Sequence, residues 1–121
     1  MKWVYYIIGM LLFSTLSAQV NYVQNGSFEE LISCPNDDAF YSTIQFALGW
    51  ENPISNQVQL PISPDLFNTC INGPSLGVPT NWYGFQFPID GNGYSGIVLG
   101  GLGSNSREFI QNSLLLPLKA N

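Results

Sequence analysis

Gly, Pro or Asn interrupts nearly every window of the chain beyond residue 18 before three helical turns can accumulate. Each interior Gly costs a helix roughly 1 kcal/mol and each Pro roughly 3, so this punctuation sets helices aside. Between the breaks lie short apolar or alternating runs: Val20 to Gln24, Ser27 to Ile32, Phe40 to Ala47, Gln57 to Leu60, Trp82 to Phe87, Tyr94 to Leu99 and Arg107 to Leu115. Turn clusters such as Cys34-Pro35-Asn36-Asp37 and Asp90-Gly91-Asn92-Gly93 divide them. Short strands separated by frequent turn residues predict an all-β sandwich. Ser106 to Leu116 has a rival helical reading, because Phe109, Ile110 and Leu114 could share a face, but Pro117 closes that run and strand is preferred. Phe28, Trp50, Phe67 and Phe109 are the aromatic candidates for the core, and the Gly91 to Gly103 glycines read as turn and bulge positions.

The first 18 residues read differently. Met1-Lys2 gives a positive start, Trp3 to Phe13 an apolar run broken only by Gly9, and Ser14 to Ala18 a small-residue exit. That is the pattern of a secretory signal peptide, too short to span a bilayer, which takes about 20 apolar residues. Cleavage after Ala18 is expected, leaving a domain of residues 19 to 121 with no transmembrane helix, secreted or held at the cell surface or outer membrane. In an oxidising compartment Cys34 and Cys70, an even pair, are expected to form a disulfide.

Charge and composition exclude several functions. Leu, Ile, Val and Phe number 38 of 121 residues, too many for a disordered chain. Only Arg107 and Lys119 carry positive charge after the leader, so nucleic acid is excluded as a partner. There is no His, which removes His-based triads and Cys/His zinc sites.

A set of motifs in fixed order carries a family resemblance. Asn25-Gly26-Ser27-Phe28-Glu29-Glu30 is followed by Ser33-Cys34-Pro35, Gly49-Trp50, and Pro64-Asp65-Leu66-Phe67-Asn68-Thr69-Cys70. Val78-Pro79-Thr80-Asn81, Gly84-Phe85-Gln86, Gly91 to Ile97 and Arg107 to Gln111 complete it. The whole chain after the leader resembles the N-terminal galactose-binding-like jelly-roll domain of secreted and outer-membrane proteins of gliding-type Gram-negative bacteria. Such domains, akin to carbohydrate-binding modules, often precede OmpA-like domains or secretion-sorting tails. The resemblance implies a jelly roll incomplete at its C-terminal end, since the family continues with further strands where this chain stops at Asn121. It also implies a structural calcium in the intact protein, with Glu29 as the residue to carry over.

The residues themselves offer few chemical constellations. Glu29-Glu30 and Asp37-Asp38 are adjacent acids, but nothing around them in sequence supplies the setting that splits two carboxyl pKa values for glycosidic chemistry. Trp82 and Tyr83, after Pro79-Thr80-Asn81, are the candidates for an aromatic platform that stacks on a sugar. The expectation is a non-catalytic module for adhesion or envelope architecture, with glycan or cell-envelope components as partners. A carbohydrate-binding module is the alternative, and a fragment of a glycan-active enzyme a more distant one.

Overall fold

The computed structural model describes residues 21–54, 63–100 and 107–119. The expected leader and the expected strand Gln57 to Leu60 lie outside them. Among the described residues, six short strands follow one 3₁₀ turn: β1 (Trp50–Glu51), β2 (Asp65–Asn68), β3 (Thr80–Asn81), β4 (Gly84–Phe85), β5 (Gly93–Gly96) and β6 (Gln111–Asn112). They pair antiparallel as β1 with β6, β2 with β5, and β3 with β4. The described residues are thus strand-dominated with almost no helix, as the punctuation of the chain predicts. No helix among the described residues is long and apolar enough to cross a membrane.

β2 and β5 form the centre, with Asp65 opposite Gly96 and Asn68 opposite Gly93. All four β2 residues are buried, Leu66 completely. Phe67 gathers Ala39, Ile71 and Leu76 around it, with Val78 and Tyr94 against the same cluster. The two terminal glycines of β5 are required by this closeness. A Cβ on Gly96 would lie 2.7 Å from the Phe67 ring, and one on Gly93 2.9 Å from the Phe67 carbonyl. β6 pairs with β1, and the chain after it meets the start of the described chain through a Val23–Leu114 bridge.

Several expected elements change on folding. Phe40 to Ala47 is not a strand: Ile44–Phe46 is a 3₁₀ turn with Ile44 buried, and only Ala47 bridges to Leu31. The expected strand Trp82 to Phe87 is the turn and second arm of a hairpin, because Gly84 at φ 133 reverses the chain after Tyr83. β2 lies in a stretch that offers no readable run, its two apolar residues flanked by Pro64-Asp65 and Asn68-Thr69. Phe109 is 47% exposed and outside the core, whereas Phe28 and Trp50 stack on each other at 4.7 Å, half-buried.

The expected disulfide is present: Cys34 and Cys70 are joined with Cα atoms 6.1 Å apart. It ties the start of the irregular segment after β2 to the segment before the 3₁₀ turn. Asp37 adds a second tie, accepting the Ser75 N–H at 3.0 Å and the Leu76 N–H at 2.7 Å. The Val78–Pro79 peptide is cis and leads directly into β3.

Candidate functional site

The β3–β4 hairpin stands beside the β2–β5 pair, and a cleft of about 270 Å³ opens between them. Asp65 and Glu108 lie in its lining, with the rings of Phe67, Tyr83, Phe85 and Tyr94 as apolar walls. Phe67 and Tyr94 stack at 4.9 Å, and Tyr83 meets Phe67 edge-on at 5.8 Å. This T-shaped contact is among the favoured geometries of aromatic pairs. Asn81 secures the hairpin base, donating from Nδ2 to the Tyr94 hydroxyl at 2.8 Å.

Asp65 is the unusual residue of the cleft. It is 3% exposed, and its Oδ1 has no hydrogen-bond donor. Its Oδ2 accepts the Tyr83 hydroxyl at 3.4 Å, the long end for an O–H donor. Burial pushes its carboxyl up to about 7, the neighbouring Glu108 adds to the rise, and the Tyr83 hydroxyl opposes it. Burial, together with the Asp65 and Glu108 carboxylates, also pushes the Tyr83 phenol up. Glu108 is held differently, accepting the Ser63 N–H at Oε1 (3.1 Å) and the Val98 N–H at Oε2 (2.7 Å). Asp65 is therefore short of donors while Glu108 is supplied with them.

The two aromatic residues expected to form a platform are adjacent on the hairpin turn but face different surroundings. Tyr83 lines the cleft, whereas Trp82 lies outside its lining and meets Phe40 edge-on at 5.7 Å. Both are more than half exposed. Glu29 lies elsewhere, its Oε1 accepting the Asn92 and Gly93 N–H groups at 2.7 and 2.9 Å and its Oε2 the Asn92 amide at 2.9 Å. Burial raises its carboxyl, but these three bonds outweigh that and hold it below its ordinary value. N–H donors suit the carboxylate itself rather than a cation beside it. Among the described residues no three of His, Cys, Asp and Glu gather closely enough to hold a metal ion.

Asp65 and Glu108 were not among the sequence candidates, since the acids weighed there were the adjacent pairs Glu29-Glu30 and Asp37-Asp38. The available signal was an isolated acid entering an apolar pair, Asp65-Leu66-Phe67 and Glu108-Phe109-Ile110, in a chain with eight acids in all. Compared with known protein families, with curated proteins and with solved structures, the chain has no match.

Proposed function

We propose that the chain is an exported, non-catalytic β-sandwich module that attaches to glycan in or around the cell envelope and takes the sugar in the cleft beside the β3–β4 hairpin. The observation that carries this reading is the exposed Tyr83 ring at the mouth of a cleft that also holds Gln86, Ser95 and Asp65. Ring faces stack on the apolar side of a pyranose while amides, hydroxyls and carboxylates bond its hydroxyls. The volume lies just below the roughly 300 Å³ at which small-molecule pockets begin, room for a single ring of a longer chain. In this reading the three antiparallel pairings belong to a galactose-binding-like jelly roll, and export follows from the leader at residues 1–18.

A non-catalytic role is supported by how the acids are used. Hydrolysis by two carboxylates needs one of them free as base or nucleophile. With the Asp65 carboxyl pushed up toward its neutral form, the base or nucleophile of the cleft would have to be Glu108, and both of its oxygens already accept N–H donors. A second reading, adhesion through aromatic contact without a sugar site, is favoured by the exposed Phe40–Trp82 and Phe85–Phe87 pairs, at 5.7 and 5.2 Å.

Glycan arrays probed with the purified full chain distinguish the two. Binding that falls at least tenfold in Tyr83→Ala and persists in Trp82→Ala is the expected outcome. Loss in Trp82→Ala alone would move the site to the Phe40–Trp82 surface, and no binding to any glycan would leave the adhesive reading. Sugar release from a bound polysaccharide would overturn the non-catalytic assignment.

A further inference from the structure

Resting on the glycan reading above, we propose that the cleft selects amino sugars whose nitrogen is charged, seating the ammonium against Asp65 and the sugar ring against Tyr83. Two buried acids line the cleft and, among the described residues, no Lys or Arg does, so those residues leave its charge uncompensated. A buried carboxylate without donors is costly, and a ligand that supplies them gains what the protein leaves unmade. Oδ1 of Asp65 has no donor and Oδ2 has one long one. A hydroxyl offers one donor and no charge, whereas an ammonium offers three donors and a full positive charge. The surrounding rings add to this preference, because a cation within about 6 Å of an aromatic face is attracted to it. Uronic and sialic acids would bring a further negative charge beside Glu108 and Asp65 and be disfavoured.

Among the described residues the ionisable groups that line the cleft with Asp65 are Glu108 from the segment before β6, Tyr83 from the hairpin and Tyr94 from β5, of which Glu108 and Tyr83 act on its carboxyl. Glu108 is fixed by two backbone N–H groups and contributes charge without moving. An ammonium beside Asp65 favours its ionised form, so binding below pH 7 expels the proton that burial keeps there.

The test is calorimetric titration of the full chain with oligomers of glucosamine, of N-acetylglucosamine and of glucose. Titrations run at about pH 5, where the sugar amine stays charged and the folded Asp65 still keeps its proton, in two buffers of different ionisation heat. Glucosamine oligomers are expected to bind at least tenfold more tightly than the other two and to release close to one proton per site. Asp65→Asn should erase both the preference and the release while leaving the weaker neutral binding. The wild-type proton count carries the test even if that variant fails to fold. Equal affinity for all three oligomers, or tight glucosamine binding with no proton released, overturns the inference and leaves the glycan reading standing. Failure of the chain to bind any arrayed glycan overturns both.

Discussion

Acidic side chains in this protein serve mainly as acceptors for backbone N–H groups. Glu29 fastens the Asn92–Gly93 turn, Asp37 the Ser75–Leu76 backbone, and Glu108 the backbone of Ser63 and Val98. With three cations in the whole chain against eight acids, charge-assisted bonds to the backbone are the available way to satisfy a buried carboxylate. The glycines beside these acids follow from the fit: a Cβ on Gly73 would collide with the Asp37 carboxylate, and one on Gly91 would come within 2.4 Å of Glu29. Asp65 departs from the pattern, and its departure has a pH signature. Its carboxyl rises from 3.8 to about 7 on folding, so in that window the folded chain keeps a proton that the unfolded chain has lost. The stability from this group is complete below 3.8, falls as pH rises and is gone once pH passes through about 7. Glu29 has the opposite sign, losing its contribution as pH falls below its ordinary 4.5 through the lower folded value. Between about pH 5 and 7 the urea midpoint should therefore fall with rising pH, and Asp65→Asn should flatten that slope. An unchanged slope in a folded Asp65→Asn protein would refute the assignment.

At the scale of elements, the turn at residues 25–30 shows why the opening motif has its residues. Asn25 adopts φ 48, and its side chain donates to the Glu30 and Leu48 carbonyls at 2.9 and 3.0 Å while accepting the Glu30 N–H at 3.0 Å. The Trp50 indole N–H donates to the Asn25 carbonyl at 2.9 Å, and Phe28 stacks on the Trp50 ring. One asparagine thus joins the turn to the chain entering β1. Asn tolerates this left-handed backbone better than most residues, and its amide supplies both donors and acceptor. Replacing Asn25 with Ala should cost about 1–3 kcal/mol, through carbonyls left with one bond fewer and a strained φ. Chemical denaturation reads that cost, and Asn25→Asp should recover part of it by keeping the acceptor for Glu30 N–H. The hairpin has a comparable single-residue dependence: Gly84 at φ 133 has nothing within 4 Å of a Cβ position, so the backbone angle alone requires glycine there.

For the whole molecule, the small core makes the covalent tie important. The hydrophobic side chains buried among the described residues are Ala39, Ile44, Ala47, Leu66, Phe67, Ile71 and Leu76, two of them alanines. The Cys34–Cys70 bridge closes a separation of 36 residues, worth roughly 4 kcal/mol in the chain-entropy account, a large share of a small domain's stability. Reduction, or the Cys34→Ser and Cys70→Ser double variant, is expected to lower the unfolding free energy read from urea denaturation by an amount near that figure or to abolish cooperative unfolding. A reduced protein that melts at the same midpoint as the oxidised one would contradict this. Both cysteines lie on the exposed side of the chain, so reductant reaches the bridge without global unfolding.

Sequence alone determined the elements that depend on local chemistry. Gly, Pro and Asn spacing limits every run to strand length, and the described residues hold six short strands and one 3₁₀ turn. The even cysteine pair was legible as a bridge, and Tyr83 as an exposed aromatic, because each follows from residue type and neighbourhood. Tertiary structure decided what depends on distant partners. Phe40 to Ala47 has strand composition but becomes a 3₁₀ turn because Pro64 accepts the Thr43 and Ile44 N–H groups, 21 and 20 residues away in sequence. Asp65-Leu66-Phe67-Asn68 shows no periodicity yet forms the central strand, since burial on both faces replaces the alternation that a half-exposed strand would show. Trp82 and Tyr83 are neighbours in sequence and separate in space, as Gly84 turns the chain beside them. The pairing of Asp65 with Glu108 spans 43 positions and exists only once β2 and the segment before β6 line one cleft. No local pattern encodes that proximity, and it is the long-range packing that gives the Asp65 carboxyl its proton.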